Sequence, residues 1–245
     1  MSLSGFEFFY GSFTFASVVI STILGLFIAL KYREHKKIEL LLVGITWILL
    51  ASPYWSDAIQ FLLVSISDTE ISSPLYFFLA NAFIAPIHIT WAYTFTNLLF
   101  KQYKKELLIF FGVEALIFEI GFLIVFFIDP YLIGTQRSEF IVEWAVWVQI
   151  YLLFSIVLFL LTGFLFARAS IQAPEPEIKL KGKFLLIAFV TFTIGTIIDV
   201  IGVENPTQIT MQITILIARI FLIVSSLCFY IGFTLPKFIK DFILK

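Results

Sequence analysis

Charge is scarce in this sequence. Charged side chains make up 13% of the chain and hydrophobic ones 60%, against roughly a quarter and a half in soluble domains. With a mean hydropathy of +1.02, that imbalance excludes a soluble globular protein and points to an integral membrane protein. Cysteine is nearly absent. Cys228 is the only one, which excludes an intrachain disulfide and leaves no ligand set for a thiolate-held metal; it reads as a small apolar core residue. An excess of either charge is missing too. The net charge is −1, so the overall balance implies neither nucleic acid nor an acidic substrate. No nucleophile and base occur in a recognisable context and no cofactor signature is present, so neither an enzyme nor a cofactor is expected.

The N-terminus, MSLSGFEFFYGSFTF, lacks the basic start and short apolar core of a cleaved signal peptide, and is read as the beginning of a first spanning helix. What is abundant is long apolar runs. About 20 residues at 1.5 Å each cross a hydrocarbon core of roughly 30 Å, and seven runs qualify. They are Phe8 to Tyr32, Ile38 to Ser65, Leu75 to Phe100, Leu107 to Ile128, Glu143 to Arg168, Phe184 to Ile201, and Ile209 to Leu235. The expected fold is all-α: one seven-helix transmembrane bundle over residues 1–235 and a short amphipathic cytoplasmic tail over 236–245.

Basic residues gather on alternate connections. KYREHKK follows the first run and KQYKKE the third; Arg168, Lys179, Lys181 and Lys183 flank the connection after the fifth, and Lys237, Lys240 and Lys245 occupy the tail. The opposite connections hold only Arg137. Lysine and arginine collect on the cytoplasmic side, so the N-terminus is expected outside and the C-terminus inside, in a multi-pass protein of the cell membrane. The outer connections SDTEISS, DPYLIGTQRSEFIVE and VENPTQ are acidic. ASIQAPEPEIKLKGK is the longest inner connection, because proline lacks an amide donor and APEPE cannot continue a helix; it is either a solvated linker or a partner-facing segment. In KFIKDFILK, helical spacing sets Phe238, Ile239, Phe242 and Ile243 against Lys237, Lys240, Asp241 and Lys245, as in a helix lying on the inner leaflet.

Ionisable groups inside spanning helices cost about 2.5 to 3.5 kcal/mol each on the insertion scale and face the bundle interior or a wet cavity. Here they form the functional shortlist. Counting about 1.5 Å per residue from the outer ends puts Arg219 roughly 15 Å deep, Asp57 roughly 12 Å, Glu119 roughly 14 Å and Asn81 roughly 9 Å, a possible common layer. His88 lies one stripe position below Asn81, and Asp199 is shallower. Gln212, Arg219 and Ser226, spaced by seven, form a polar stripe that should point inward. An arginine needs an acceptor inside the bundle. Asp57, next to the kink expected at Pro53, is the first choice, with Glu119 or Asp199 as alternatives; Glu119 is preferred over Glu114 on depth. The set Arg219, Asp57, Glu119, Asn81, His88, Asp199 and Gln212 is either a ligand site or, in part, a structural ion pair that fixes helix register. Thr14, Ser17, Ser21 and Gly25 form a small-residue face that lets helices approach closely.

Several seven-helix comparisons fail on missing residues. The last span has no lysine, which excludes a retinal Schiff base. LLFKQYKKE lacks the acidic-arginine-aromatic triplet of G-protein-coupled receptors, and FYIGFTLPKF lacks their asparagine-proline-tyrosine pattern. Asp57 in YWSDA and Asp199 in GTIIDV carry neither motif of the intramembrane aspartyl proteases, and His35 and His88 are too far apart for a membrane zinc hydrolase. The basic first inner loop, PIHITWAYTFTNLLF and RIFLIVSSLCFYIGFTLP resemble the seven-helix sensor module of membrane histidine kinases and uncharacterised archaeal heptahelical membrane proteins. Those kinases continue into signalling domains, whereas this chain ends at Lys245. The resemblance therefore implies a receptor-like sensor that binds a small or lipid-like ligand and signals to a separate partner at its basic inner loops. The alternative is a small ion-coupled carrier, for which STILGLFIALKYR and FLLTGFLFARA would mark a parallel repeat of three helices.

Overall fold

Lipid offers backbone amides and carbonyls no partner, so each apolar run satisfies them internally as helix. The computed structural model describes residues 3–201 and 208–244. Seven spans among these residues are long and apolar enough to cross a bilayer. α1 (Gly5–His35) is continuous. The second span comprises α2 (Ile38–Leu50), a 3-10 turn (Ser52–Tyr54) and α3 (Trp55–Ser67), and the third comprises α4 (Ser73–Asn81) and α5 (Ile84–Leu99). α6 (Lys104–Ile128), α7 (Val146–Gln172), α8 (Pro176–Ile201) and α9 (Gln208–Thr234) follow, then the short α10 (Lys237–Ile243) expected on the inner leaflet. Most of the acidic VENPTQ connection, and Lys245 of the tail, lie outside the described residues.

The spans form a ring. α1 packs between the second span and α9, α9 against α8, and α8 against α7; α2 packs on α5, α5 on α6, and α7 meets α5 to close the circuit. The expected small-residue face lies at the α1 seam, where Thr14, Ser17, Ser21 and Gly25 are all buried. A Cβ on Gly44 would sit 2.5 Å from the Gly25 carbonyl oxygen, so only glycine permits this crossing of α1 and α2. Aromatic side chains fill the centre. Trp47 stacks on Phe229 at 3.9 Å between ring centres, and Trp91, Phe159 and Phe189 pack edge to face around them. α6 is the most exposed span, with only Phe111, Ala115, Phe118 and Phe122 buried along a single seam.

Two connections differ from expectation. Only residues 173–175 separate α7 from α8, because Pro176 occupies the first turn of α8, where the missing amide costs nothing. The long inner linker is thus mostly helix. The connection between α6 and α7 contains an antiparallel hairpin, β1 (Gly134–Gln136) and β2 (Val142–Trp144), with Thr135 opposite Glu143. Glu143 therefore belongs to a strand, not to the start of the fifth span. The hairpin is pinned by buried Ile133 and Phe140 and by a Ser73 hydroxyl that donates to Gln136 at 2.8 Å.

Candidate functional site

Both helix breaks lie on the same interior wall. Pro53 interrupts the second span, as its missing amide requires, and Pro86 sits in the first turn of α5, just past the break at residues 82–83. Beside these breaks lies a cavity of about 560 Å³, lined by six of the seven spans and by the hairpin strand β2; α6 contributes nothing to its wall. Its lining runs from buried Trp91 and Phe159 to exposed Glu143 and Gln149, which mark its mouth.

Arg219 stands on the α1 and α8 side of this cavity, 1% exposed. Its Nε donates to Thr14 Oγ1 at 2.9 Å, one terminal nitrogen donates to Asp199 Oδ2 at 2.5 Å, and the other donates to the Tyr10 hydroxyl at 3.5 Å. The Tyr54 ring centre lies 4.5 Å from its guanidinium carbon and the Tyr10 ring centre 5.6 Å, so the cation is flanked by two aromatic faces. Tyr54 donates to Asp199 at 2.7 Å. Tyr10 donates to Asp57 Oδ2 at 2.9 Å, and Tyr76 donates to the other Asp57 oxygen. One network thus runs from Asp199 through Arg219 and Tyr10 to Asp57 and Tyr76, drawing on five spans.

The direct partner of Arg219 is therefore Asp199, and the first choice of Asp57 is corrected to an indirect link through Tyr10. A Cβ on Gly195 would lie 3.1 Å from the Ala218 carbonyl oxygen, so Asp199, four residues further along α8, and Arg219, one residue further along α9, differ in level by about 7.5 Å. Side chains lean toward the N-terminus of their own helix, and α8 and α9 run antiparallel, so Arg219 and Asp199 lean toward each other and meet. Ser226 continues the stripe inward and bonds Ser21 at 2.8 Å, whereas Gln212 is half-buried and does not line the cavity.

Asn81 lines the cavity, with its Nδ2 donating to the Phe77 carbonyl at 2.9 Å. His88 lines it deeper, 4% exposed, and places Nδ1 2.5 Å from Glu114 Oε1 on α6. Tyr151 of α7 donates to Glu114 Oε2 at 3.2 Å. The His88 Nε2 is buried without a partner among the described residues. Glu119 joins neither group: it is half-buried, does not line the cavity, and keeps one buried oxygen unpartnered among the described residues. The common layer with Arg219 thus excludes Glu119, and the acid level with His88 is Glu114.

Sequence reasoning missed the residues that join the network. Tyr10, Tyr54 and Tyr76 carry no sequence signal of their own, although Tyr54 directly follows Pro53. Phe140 also went unnoticed; it stacks on Tyr10 at 5.2 Å between ring centres and seats the hairpin on the network. Among the described residues no group of three metal-ligating side chains is arranged to hold an ion. The chain matches no protein family, no curated protein and no solved structure.

Proposed function

We propose that this chain is a receptor-like, sensory seven-helix protein of the cell membrane that holds a small or lipid-like ligand in the cavity at the outer half of its bundle. The cavity itself carries the reading. At about 560 Å³ it falls within the roughly 300–1,000 Å³ of small-molecule sites, and its mainly apolar walls with a few converging polar groups are what such sites use. The ligand would act by favouring one of two helix arrangements. The breaks at Pro53 and at residues 82–83 are where such a change is absorbed with least loss of backbone hydrogen bonds. A separate cytoplasmic partner at the basic inner connections would read the change, as the resemblance to kinase sensor modules suggests.

The rival reading is an ion-coupled carrier. Carriers built from repeats place broken helices at corresponding positions in both halves. Here the second and third spans are broken, while their counterparts in a parallel repeat, α8 and α9, are single helices. That asymmetry favours the receptor reading. The test is thermal melting of purified protein against a panel of lipids and small amphiphiles, repeated with Ala80→Phe, which places a ring in the cavity from its wall. A ligand present at about 100 times its Kd stabilises the protein by about 2.7 kcal/mol, and the effect should vanish in Ala80→Phe. Saturable uptake of that ligand into proteoliposomes under a proton or sodium gradient, lost in Arg219→Gln, would overturn the receptor reading.

A further inference from the structure

The hydrogen bonds around the cavity say which polar chemistry is left for a ligand. Six hydroxyl-bearing residues line it, and each hydroxyl donates to the protein. Tyr10 and Tyr76 donate to Asp57, and Tyr54 donates to Asp199. Ser155, Thr196 and Thr214 donate to main-chain carbonyls of their own helices. The Trp91 indole donates to Thr162 at 2.8 Å, the Asn81 and Gln149 amides donate to carbonyls, and all three guanidinium nitrogens of Arg219 are engaged. The donors left among the described residues are the second hydrogens of the Arg219 terminal nitrogens and of the Asn81 and Gln149 amides, and the Trp144 indole.

Unspent acceptors lie in the same wall. Glu114 engages Nδ1 of the His88 imidazole, and in the neutral ring with its proton on Nδ1 the atom on the opposite edge, Nε2, carries a lone pair. That atom is buried, has no partner among the described residues, and belongs to a residue that lines the cavity, whereas Glu114 does not. Asp199 uses only Oδ2, and Asn81 Oδ1 likewise accepts from none of the described residues.

Formal charge runs the same way. Asp57 and Asp199 face the single cation Arg219, while the other lining acid, Glu143, is bridged to Arg137 at the mouth. An unbalanced carboxylate inside a bundle is costly, and a bound cation offsets it. An anion would add to that imbalance, because Arg219 already faces two carboxylates. The wall also includes the aromatic side chains of Trp91, Trp144 and Phe159, and aromatic rings attract cations.

We propose that the ligand is a protonated organic amine, an ammonium group on an apolar body, whose N–H donors go to acceptors left open by the network. This rests on the cavity being a ligand site. Three probes of one shape separate the two ideas: 4-phenylbutylamine, 4-phenylbutanol and 4-phenylbutyrate, titrated into the full chain in lipid nanodiscs, with binding read by tryptophan fluorescence. Empty nanodiscs give the partition background. The expected result is saturable amine binding tighter than that of the alcohol or the acid by at least about tenfold, the equivalent of 1.4 kcal/mol. Asp57→Asn keeps the size and acceptor oxygen of the side chain but removes one charge, so the ratio of amine to alcohol affinity should fall several-fold while the melting curve keeps its cooperative form. His88→Phe, which removes the unpartnered Nε2, should weaken the amine and the alcohol together. Acid or alcohol binding as tight as the amine overturns the amine assignment and leaves the cavity reading standing. Binding of none of the three, or amine binding unchanged in Ala80→Phe, overturns both. Should Asp57→Asn fail to fold, the tenfold order among the probes in the unaltered chain decides the matter.

Discussion

Replacing Arg219 by leucine tests the assignment of its partner. The substitution removes the contact to Asp199 at 2.5 Å and the bonds to Thr14 and Tyr10, leaving a carboxylate inside the bundle with only the Tyr54 hydroxyl. Breaking a buried pair from one side costs about 3 to 5 kcal/mol. Asp199 is 21% exposed, so the lower end applies, and about 3 kcal/mol is expected. Asp199→Leu strands a guanidinium that keeps two aromatic faces and Thr14, and should cost a similar amount. The double change removes both charges and should cost about 3 kcal/mol as well, a coupling of about 3 kcal/mol, at the top of the range for groups in contact. Arg219 reaches Asp57 only through the Tyr10 hydroxyl, so that pair should couple by about 0.5 kcal/mol. Reversible unfolding in mixed detergent micelles, followed by far-ultraviolet circular dichroism and tryptophan fluorescence, gives the four free energies. Additive losses for Arg219 and Asp199 within about 0.5 kcal/mol, or a larger coupling to Asp57, would refute the network as described.

Tyr76→Phe takes one of two hydroxyl donors from Asp57 and should cost about 1 to 3 kcal/mol of stability in the same assay; no loss would mean that Tyr76 does not serve Asp57. Gly44→Leu drives a side chain into the Gly25 carbonyl and Ala29, and should abolish the cooperative transition, whereas Gly112→Leu, with open space around its α-carbon, should melt like the parent. Glu139, in the hairpin, has its carboxyl pushed above the ordinary glutamate range by burial and by neighbouring Glu7 and Glu70. The folded state therefore holds that proton more tightly than the unfolded chain. Stability from this group rises as pH falls through the raised folded-state value and levels off below the ordinary one. Glu139→Gln should flatten that part of the pH profile of the melting temperature and slightly raise stability at pH 7; an unchanged profile would refute the assignment.

The spans were legible because a bilayer leaves an apolar run no alternative to helix, and Pro53 announced its own break. The site was legible in membership more than in pairing. Residue counting ranked α-carbons by depth, but Arg219 is long and leans outward, so the partner lay well above its own level. The same ruler, applied to α6, puts Glu114 about 21 Å from the outer end and level with His88, so that pair was available to counting. The hairpin was not, since three-residue strands are too short to show alternation. Tyrosine hydroxyls were hidden because an interfacial anchor and a buried hydrogen-bond donor use the same side chain.

The hairpin between α6 and α7 behaves mechanically as a strut with three bearings. One root is the end of α6, the other is the start of α7, and its Phe140 rests on Tyr10 of α1. α6 touches no cavity wall, yet the hairpin at its end ties it to the Tyr10 ring, and so to the hydroxyl that joins Arg219 to Asp57.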